Sequence, residues 1–465
     1  MIPVPAFLSI PPTGTRPMIS RLIARAGIAA LLLILPALPA RAIPIERVVT
    51  PGGIEAWLVR DEKNPIIALD FSFTGGSTLD PADKLGLATM TMSLLDEGAG
   101  DLDSQAFQRR LEENSITLGF SAGREEISGS LTTLVETKGE AFELLRLALA
   151  SPRFDDPAVE RVRAQITAGL KRAAADPNYT GQVTFAETLF PGHPYGKPPR
   201  GTIGTVQAIT VADLRGFVRD RIARDTLKIG VSGDITAAEL ATALDAIFGG
   251  LPAMAAPFTV AQTVPAGAGA KVLVERPIPQ SILFMGQPGL KRSDPDWFPA
   301  LILNYVLGGG GFSSRLMDEV REKRGLTYGV SSGLQPYEQS ALWTVGGSTA
   351  NEKAVEALAL IKKIWGRTAR DGITAAELQD AKTFLTGSFP LTFTSNEAIA
   401  GVLLSVQEDD LGIDYLNQRN ALIEAVTLER VNAVAKRLLD PAKLATVVVG
   451  RPVGLEPTRV VDGGS

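Results

Sequence analysis

The sequence predicts an α+β fold of two homologous halves, each a mixed antiparallel sheet with helices packed on it, joined by a linker. Three observations predict it. Strand-like segments of β-branched and aromatic residues alternate with helical segments along the chain. The stretch 249–270 (GGLPAMAAPFTVAQTVPAGAGA) is rich in Gly, Ala and Pro, uncharged and without periodicity, which marks a linker. After it the same order of elements begins again, and an internal repeat of this kind governs the reading of the whole fold.

In the first half, 53–61 (GIEAWLVRD) and 65–76 (PIIALDFSFTGG) read as strands bounded by Gly, Asp and Pro. Residues 85–97 read as a helix, because Leu87, Met90, Leu94 and Leu95 fall at i, i+3, i+7 and i+8 and make one apolar stripe. A second helix spans 103–115, capped by Asp103 or Ser104. Residues 116–134 alternate as a hairpin, helices follow near 137–150 and 156–175, and a strand at 225–235 leads into a helix at 236–248. Beyond the linker, 271–277 and 280–289 are strands, and a helix at 296–308 takes the place of 85–97. Residues 313–325 take the place of 103–115. LTYGVSSGL and ALWTVGGST form the hairpin, helices follow at 352–370 and 374–387, and 443–452 repeats the strand at 225–235.

Composition narrows the function. Of 465 residues, 45% are hydrophobic and 21% charged, which is ordinary globular usage and ample for large cores. The formal net charge is −5, and no Lys/Arg-rich run stands out, which argues against a nucleic-acid partner. From Met18 the chain reads MISRLIARAGIAALLLILPALPARA: basic residues, an apolar run, then Ala40-Arg41-Ala42. This reads as a secretory leader over 1–42, with Met18 a second candidate start; its apolar run is too short for a membrane span, and a retained anchor is the alternative. Without its four Arg the chain carries −9. The expected product is exported to a bacterial periplasm. The expected domains are a first half over 43–250, a linker over 251–270 and a second half over 271–465. Cys is absent, so there is no disulfide framework, thiol nucleophile or Cys-based metal site.

Three stretches carry candidate chemistry. GGGGFSS (308–314) is not a dinucleotide or P-loop motif: Ser313 replaces the third Gly, and no Gly-Lys-Ser/Thr follows. Consecutive glycines instead leave backbone N–H and C=O groups bare for an extended peptide, so Gly308, Gly309, Gly310, Gly311 and Phe312 form a candidate substrate-binding segment. The plainer alternative is a turn capped by Ser313 or Ser314. In VREKRGLTYG (320–329), cations end a helix where they suit its dipole, and Gly325 suits the C′ position. Tyr328 follows Arg321 by seven residues, just across the turn, so a charged fork and a phenol can converge on one carbonyl oxygen, as in oxyanion stabilisation. His193, the single His, sits in the Pro/Gly-rich FPGHPYGKPPRGTIGT (190–205) and reads as structural; alone, it excludes a two-His zinc site. No G-x-S-x-G supports a serine triad. The paired acids Glu125-Glu126, Asp155-Asp156 and Asp409-Asp410 are expected on solvated faces.

GGGGFSSRLMDEVREKRGLTYGVSS strongly resembles the second-half motif of the M16 (pitrilysin/insulinase) peptidases, and HPYGKPPRGT resembles a segment of that family's first half. The resemblance covers essentially the whole chain after residue 42. It implies that active relatives carry H-x-x-E-H on a helix after a Gly-x-Ala step, two His binding zinc and Glu serving as general base. Here GLATMTMSLLDEG puts Thr89 and Ser93 at the His positions and Met92 at the Glu position. Positions i, i+3 and i+4 share a helical face, but hydroxyls are poor zinc ligands and a thioether takes no proton from water. A further Glu ligand falls near Ala168 or Gly169, and no acid lies between Arg161 and Ala175. Arg321 and Tyr328 match the residues that act on the substrate carbonyl. The implied protein binds no cofactor itself. It serves as the zinc-free subunit of a heterodimer whose partner carries zinc and closes with it around a peptide; the alternative is a catalytically inactive scaffold or peptide-binding protein.

Overall fold

The computed structural model describes residues 43–462, so the leader read over 1–42 lies outside the described residues. Among these residues no helix is long and apolar enough to cross a membrane. The first half contributes β1 (Glu46–Val49), β2 (Glu55–Arg60), β3 (Ile66–Thr74), β4 (Thr117–Ala122), β5 (Glu126–Leu134) and β6 (Leu227–Gly233). They form one sheet in the order β1-β2-β6-β3-β5-β4. The second half contributes β7 (Lys271–Glu275), β8 (Gln280–Pro288), β9 (Thr327–Pro336), β10 (Ala341–Ala350), β11 (Ala445–Gly450) and β12 (Arg459–Asp462), in the order β9-β10-β8-β11-β7-β12. Read from opposite edges, the two sheets have one strand order, and the duplication in the sequence is a duplication of architecture. Each holds one equivalent parallel pair, β2 with β6 and β7 with β11. Only the outermost strand differs: β1 runs antiparallel to β2, whereas β12 runs parallel to β7.

Helices cover these sheets. The first half has α1 (Leu87–Met92), α2 (Ser104–Glu113), α3 (Lys138–Ala150), α4 (Asp156–Ala175), α5 (Pro177–Leu189), α6 (Ile203–Ala208), α7 (Val211–Arg221) and α8 (Ala237–Phe248). The second has α9 (Trp297–Asn304), α10 (Ala354–Asp371), α11 (Ala375–Gly387), α12 (Asn396–Glu408), α13 (Tyr415–Glu424) and α14 (Leu428–Leu438). Asp103 caps α2, its carboxylate accepting from the Ala106 N–H at 2.8 Å. On β3, Ile67, Leu69, Phe71 and Phe73 are fully buried, and Phe71 packs edge-on against Phe120 and Phe248.

The halves exchange helices. α5 belongs to the first half by sequence but lies on the second sheet: Phe185 packs on Phe284 at 6.0 Å, and Gly181 leaves room for Phe284 and Val449. Reciprocally, α12 lies on the first sheet. Asn396 accepts from the Ser232 hydroxyl at 2.9 Å, and the Gln407 amide donates to the Ile229 carbonyl at 2.8 Å. Each sheet is thereby buried on both faces, which is why β11 shows no solvent-facing residue. The linker forms neither strand nor helix, yet it is strapped down: Ala256, Thr263 and Ala266 donate backbone N–H groups to Asp220, Gln339 and Leu189.

Three expected helices are shorter or different in kind. The one expected at 85–97 ends at Met92, although Leu94 and Leu95 complete its buried stripe from a turn. That at 296–308 is α9 followed by a π-turn at Tyr305–Gly309, and that at 313–325 becomes a π-turn at Met317–Glu322. Such turns recur at functional positions.

Candidate functional site

The glycine loop is held bare by what lies beneath it. A side chain on Gly309 would meet the Asn304 amide at 2.6 Å, and one on Gly310 would meet the Tyr305 carbonyl at 2.8 Å. Asn304 is itself buried and fixed, its oxygen accepting from the Ser332 hydroxyl at 2.8 Å and the Trp343 indole N–H at 3.0 Å. Gly308 is buried against Ser332, whereas Gly309 and Gly311 are exposed and Gly310 partly so. Phe312 stands out from the loop at 67% exposure.

Two arginines on the following helical segment meet opposite fates. Arg315 is spent on structure: it grips both Glu377 oxygens at 2.7 Å and donates to Thr368 and the Gly372 carbonyl at 3.0 Å. Arg321 lies under the Phe312 ring, its guanidinium carbon 4.5 Å from the centroid. Its Nη1 is sheltered from solvent and makes no hydrogen bond; the Glu322 carboxylate lies 3.4 Å away but out of alignment. Gly325, at φ 56°, ends the segment as expected, its N–H donating to the Arg321 carbonyl at 2.8 Å. The pairing of β9 with β10 slips between Thr327 and Gly329, so Tyr328 is the bulged residue and stands 81% exposed. Bulges re-aim side chains, and this one turns the phenol out of the sheet.

The first-half positions are used differently. The Thr89 hydroxyl donates to the Pro199 carbonyl at 3.2 Å, and the Ser93 hydroxyl to the Thr89 carbonyl at 2.8 Å. Met92 is 1% exposed and packs in the core. These groups do not fit a zinc ion: both hydroxyls serve backbone carbonyls and the thioether faces inward. Among the described residues, no three His, Asp or Glu side chains gather as a metal requires. The 190–205 segment packs onto this helix, Thr205 donating to the Leu85 carbonyl at 2.8 Å. His193 is structural, Nδ1 accepting from the Tyr195 N–H and Nε2 lying 2.9 Å from the Ala261 carbonyl of the linker.

The expectation of solvated faces holds for Asp410, which is exposed, and is overturned for Glu125, Glu126 and Asp409. Glu125, Glu126 and Asp409 are partly buried where the halves meet, and burial raises each carboxyl, Glu126 to about 7. No sequence spacing signals this, because the two pairs are brought together by tertiary folding alone.

The model of the peptidase M16 inactive domain matches residues 208–385. A non-peptidase homologue, YmxG, of Helicobacter pylori is 30% identical over 347 residues, covering 74% of this chain and 79% of that protein. The crystal structure of a peptidase M16 inactive domain from Pseudomonas fluorescens superposes with a TM-score of 0.83 at 29% identity, over 89% of this chain and 99% of that one. The periplasmic protease PqqL of Escherichia coli shares the fold alone, at 17% identity and a TM-score of 0.75, over 88% of this chain and 45% of its own. With its doubled sheet order, its match to the inactive-domain model and a relative 30% identical over most of both chains, the chain belongs to the M16 peptidase family.

Proposed function

We propose that this chain is the zinc-free subunit of a heterodimeric, exported M16 peptidase, in which Arg321 and Tyr328 hold the carbonyl oxygen of a peptide whose hydrolysis is carried out with a zinc-bearing partner. The observation that carries the reading is the unspent guanidinium of Arg321. Its Nη1 is sheltered and makes no hydrogen bond, its one carboxylate neighbour lying out of alignment, while Arg315 in the same segment is engaged with Glu377, Thr368 and Gly372. A donor left without a partner in a protected place costs free energy unless a ligand uses it. Tyr328, turned outward by its bulge, supplies a second donor, and the bare backbone of Gly309–Gly311 suits an extended peptide. The match to the inactive domain and the likeness to a periplasmic protease support the pairing and the location.

The test is reconstitution. The chain is co-purified from its native host with an M16 chain bearing H-x-x-E-H, and peptidase turnover is measured for each alone and for the mixture. Arg321→Ala and Tyr328→Phe should each lower kcat of the pair, by up to the ~100- to 1000-fold typical of losing one oxyanion donor. Unchanged turnover in both variants sinks the composite site. A second reading, a peptide-holding scaffold without catalysis, is favoured by the likeness to a non-peptidase homologue. It predicts peptide binding by this chain alone and no zinc-bearing partner.

A further inference from the structure

The two halves touch through a seam crowded with carboxylates. Both oxygens of Glu125, in the β4–β5 turn, accept the Glu338 N–H of the β9–β10 turn, at 2.9 and 3.1 Å, and Glu125 also accepts from the Tyr195 hydroxyl. The Gln339 N–H donates to that hydroxyl at 3.0 Å, and Tyr337 stacks on Tyr195 at 4.8 Å. Lys291 holds the Glu338 carbonyl at 2.6 Å. Behind this contact lies a cavity of about 370 Å³, and beside it one of about 330 Å³; both are lined by Glu125, Glu126, Glu338, Glu408 and Asp410.

Glu126 sits at the centre. Acids face it from its own turn (Glu125), from the opposing turn (Glu338) and from the end of α12 (Glu408, Asp409). Asp410 lines the same cavities. The nearby cations Lys228, Lys291 and Arg292 line the same cavities and hold the flanking acids and backbone carbonyls of the seam. Lys228 on β6 donates to the Gln407 and Glu408 carbonyls and to Asp410, at 2.6, 3.3 and 3.2 Å. Arg292 pairs with Asp409 at 3.2 Å and lies over Trp297, and Arg124 turns to the Lys197 carbonyl. The linker residues on the cavity wall, Phe258, Thr259 and Val260, carry no charge.

We propose that this seam is a proton-controlled latch, closed while Glu126 keeps its proton and loosened when Glu126 ionises among the carboxylates facing it. Burial, followed by the charge of Glu408, raises the Glu126 carboxyl from 4.5 to about 7. A carboxyl raised in the closed form favours closure at low pH, and that contribution is lost as pH rises through the raised value. The latch works near neutrality and controls entry to the cavity between the halves.

The experiment is amide hydrogen exchange on the full chain, corrected for intrinsic rates. It follows the Glu338 and Gln339 N–H groups, whose partners are Glu125 and Tyr195, against the β10 core amides of Leu342 and Trp343. Protection at Glu338 and Gln339 should fall ~10-fold or more between about pH 6 and 8, while the β10 amides stay level. Glu126→Gln, a neutral variant of like shape, should abolish the fall. Glu408→Gln, which removes one facing charge, should move its midpoint to lower pH. The same fall in Glu126→Gln as in the parent chain overturns the latch, as does a fall shared by the β10 amides.

Discussion

Helix α1 of the first half and the 315–322 segment of the second stand beside the equivalent faces of two like sheets, yet they dispose of their polar groups in opposite ways. On α1 and its C-cap the Thr89 and Ser93 hydroxyls are turned to backbone carbonyls, and the Met92 thioether between them is core. On the 315–322 segment one arginine is fully engaged and another is kept under an aromatic ring with a nitrogen to spare. A polar group satisfied within the fold speaks for structure; one sheltered but unsatisfied speaks for a ligand. The likeness of the sheets does not distinguish the two segments; their hydrogen-bond accounting does, and it motivates the role proposed for Arg321.

The strongest way to break this comparison is to write the missing motif into the first half. Thr89→His and Ser93→His replace groups at or near the surface. Met92→Glu places a carboxylate where a 1%-exposed side chain packs, and should cost ~2–5 kcal/mol. Even the triple variant should not hold zinc tightly, because α4 offers Ala168 and Gly169, with no acid between Arg161 and Ala175. Urea midpoints and zinc content check both claims. A stable triple variant with one tightly bound zinc would show that the first half is a metal site merely stripped of its ligands.

Next is Arg315→Ala, which leaves Glu377 without its bidentate partner and frees the contacts to Thr368 and Gly372. Arg315 and Glu377 are both largely shielded, so the loss should be about 3 kcal/mol in denaturant unfolding. A loss below ~1 kcal/mol would return Arg315 to the class of surface pairs and blur its contrast with Arg321.

A smaller effect probes the exchanged helix. Asp70 on β3 lies beneath α12, close to where Gly401 passes, and burial, then the charges of Glu397 and Glu408 on that helix, raises its carboxyl to about 6. Its folded value exceeds its unfolded one, so its contribution is fully present below the ordinary 3.8 and lost as pH rises through about 6. Asp70→Asn should therefore stabilise the chain at pH near 8 by ~1 kcal/mol, allowing for partial solvent screening, and by nothing at pH near 3. Urea midpoints at the two pH values decide it, and equal shifts at both would mean that α12 does not bury this carboxyl.

How much of this is legible in the sequence depends on range. The strands, the hairpins and the doubled order are readable because alternation and Gly/Pro boundaries are local signals, and the stripe of Leu87, Met90, Leu94 and Leu95 is buried as its spacing says. The stripe does not say where the helix stops, because Leu94 and Leu95 reach the core from a turn as well as from a helix. Helices α5, α6, α7, α12, α13 and α14 go unassigned, and the exchange of α5 and α12 is invisible, since α5 buries Gly181, Thr184 and Leu189, which form no apolar stripe. For the proposed site, motif and spacing nominate Arg321 and Tyr328, and the left-handed Gly325 is legible from its place after a basic helix end. The floor residue Asn304, the bulge at Tyr328 and the seam of Glu126 are not, because each depends on partners 28 or more residues away or on a slip in strand register.

The smallest effect on stability is the most telling. Arg321→Ala removes a cation over an exposed ring and one misaligned carboxylate contact at 3.4 Å. It should change unfolding by less than ~1 kcal/mol, against about 3 kcal/mol for Arg315→Ala in the same segment. If the guanidinium is held for a ligand, its removal leaves the fold intact and sharply lowers peptide turnover by the pair. Phe312→Ala then becomes the sharpening variant: it should leave unfolding unchanged within ~0.5 kcal/mol yet weaken the effect of Arg321, because the ring that holds the guanidinium in place is gone. Double-mutant coupling between Phe312 and Arg321, measured by peptide turnover in the reconstituted pair, separates this from two independent losses. Additive effects would make Phe312 a bystander, and a large loss of stability in Arg321→Ala would make Arg321 a second Arg315, a structural residue with a poorly aligned partner.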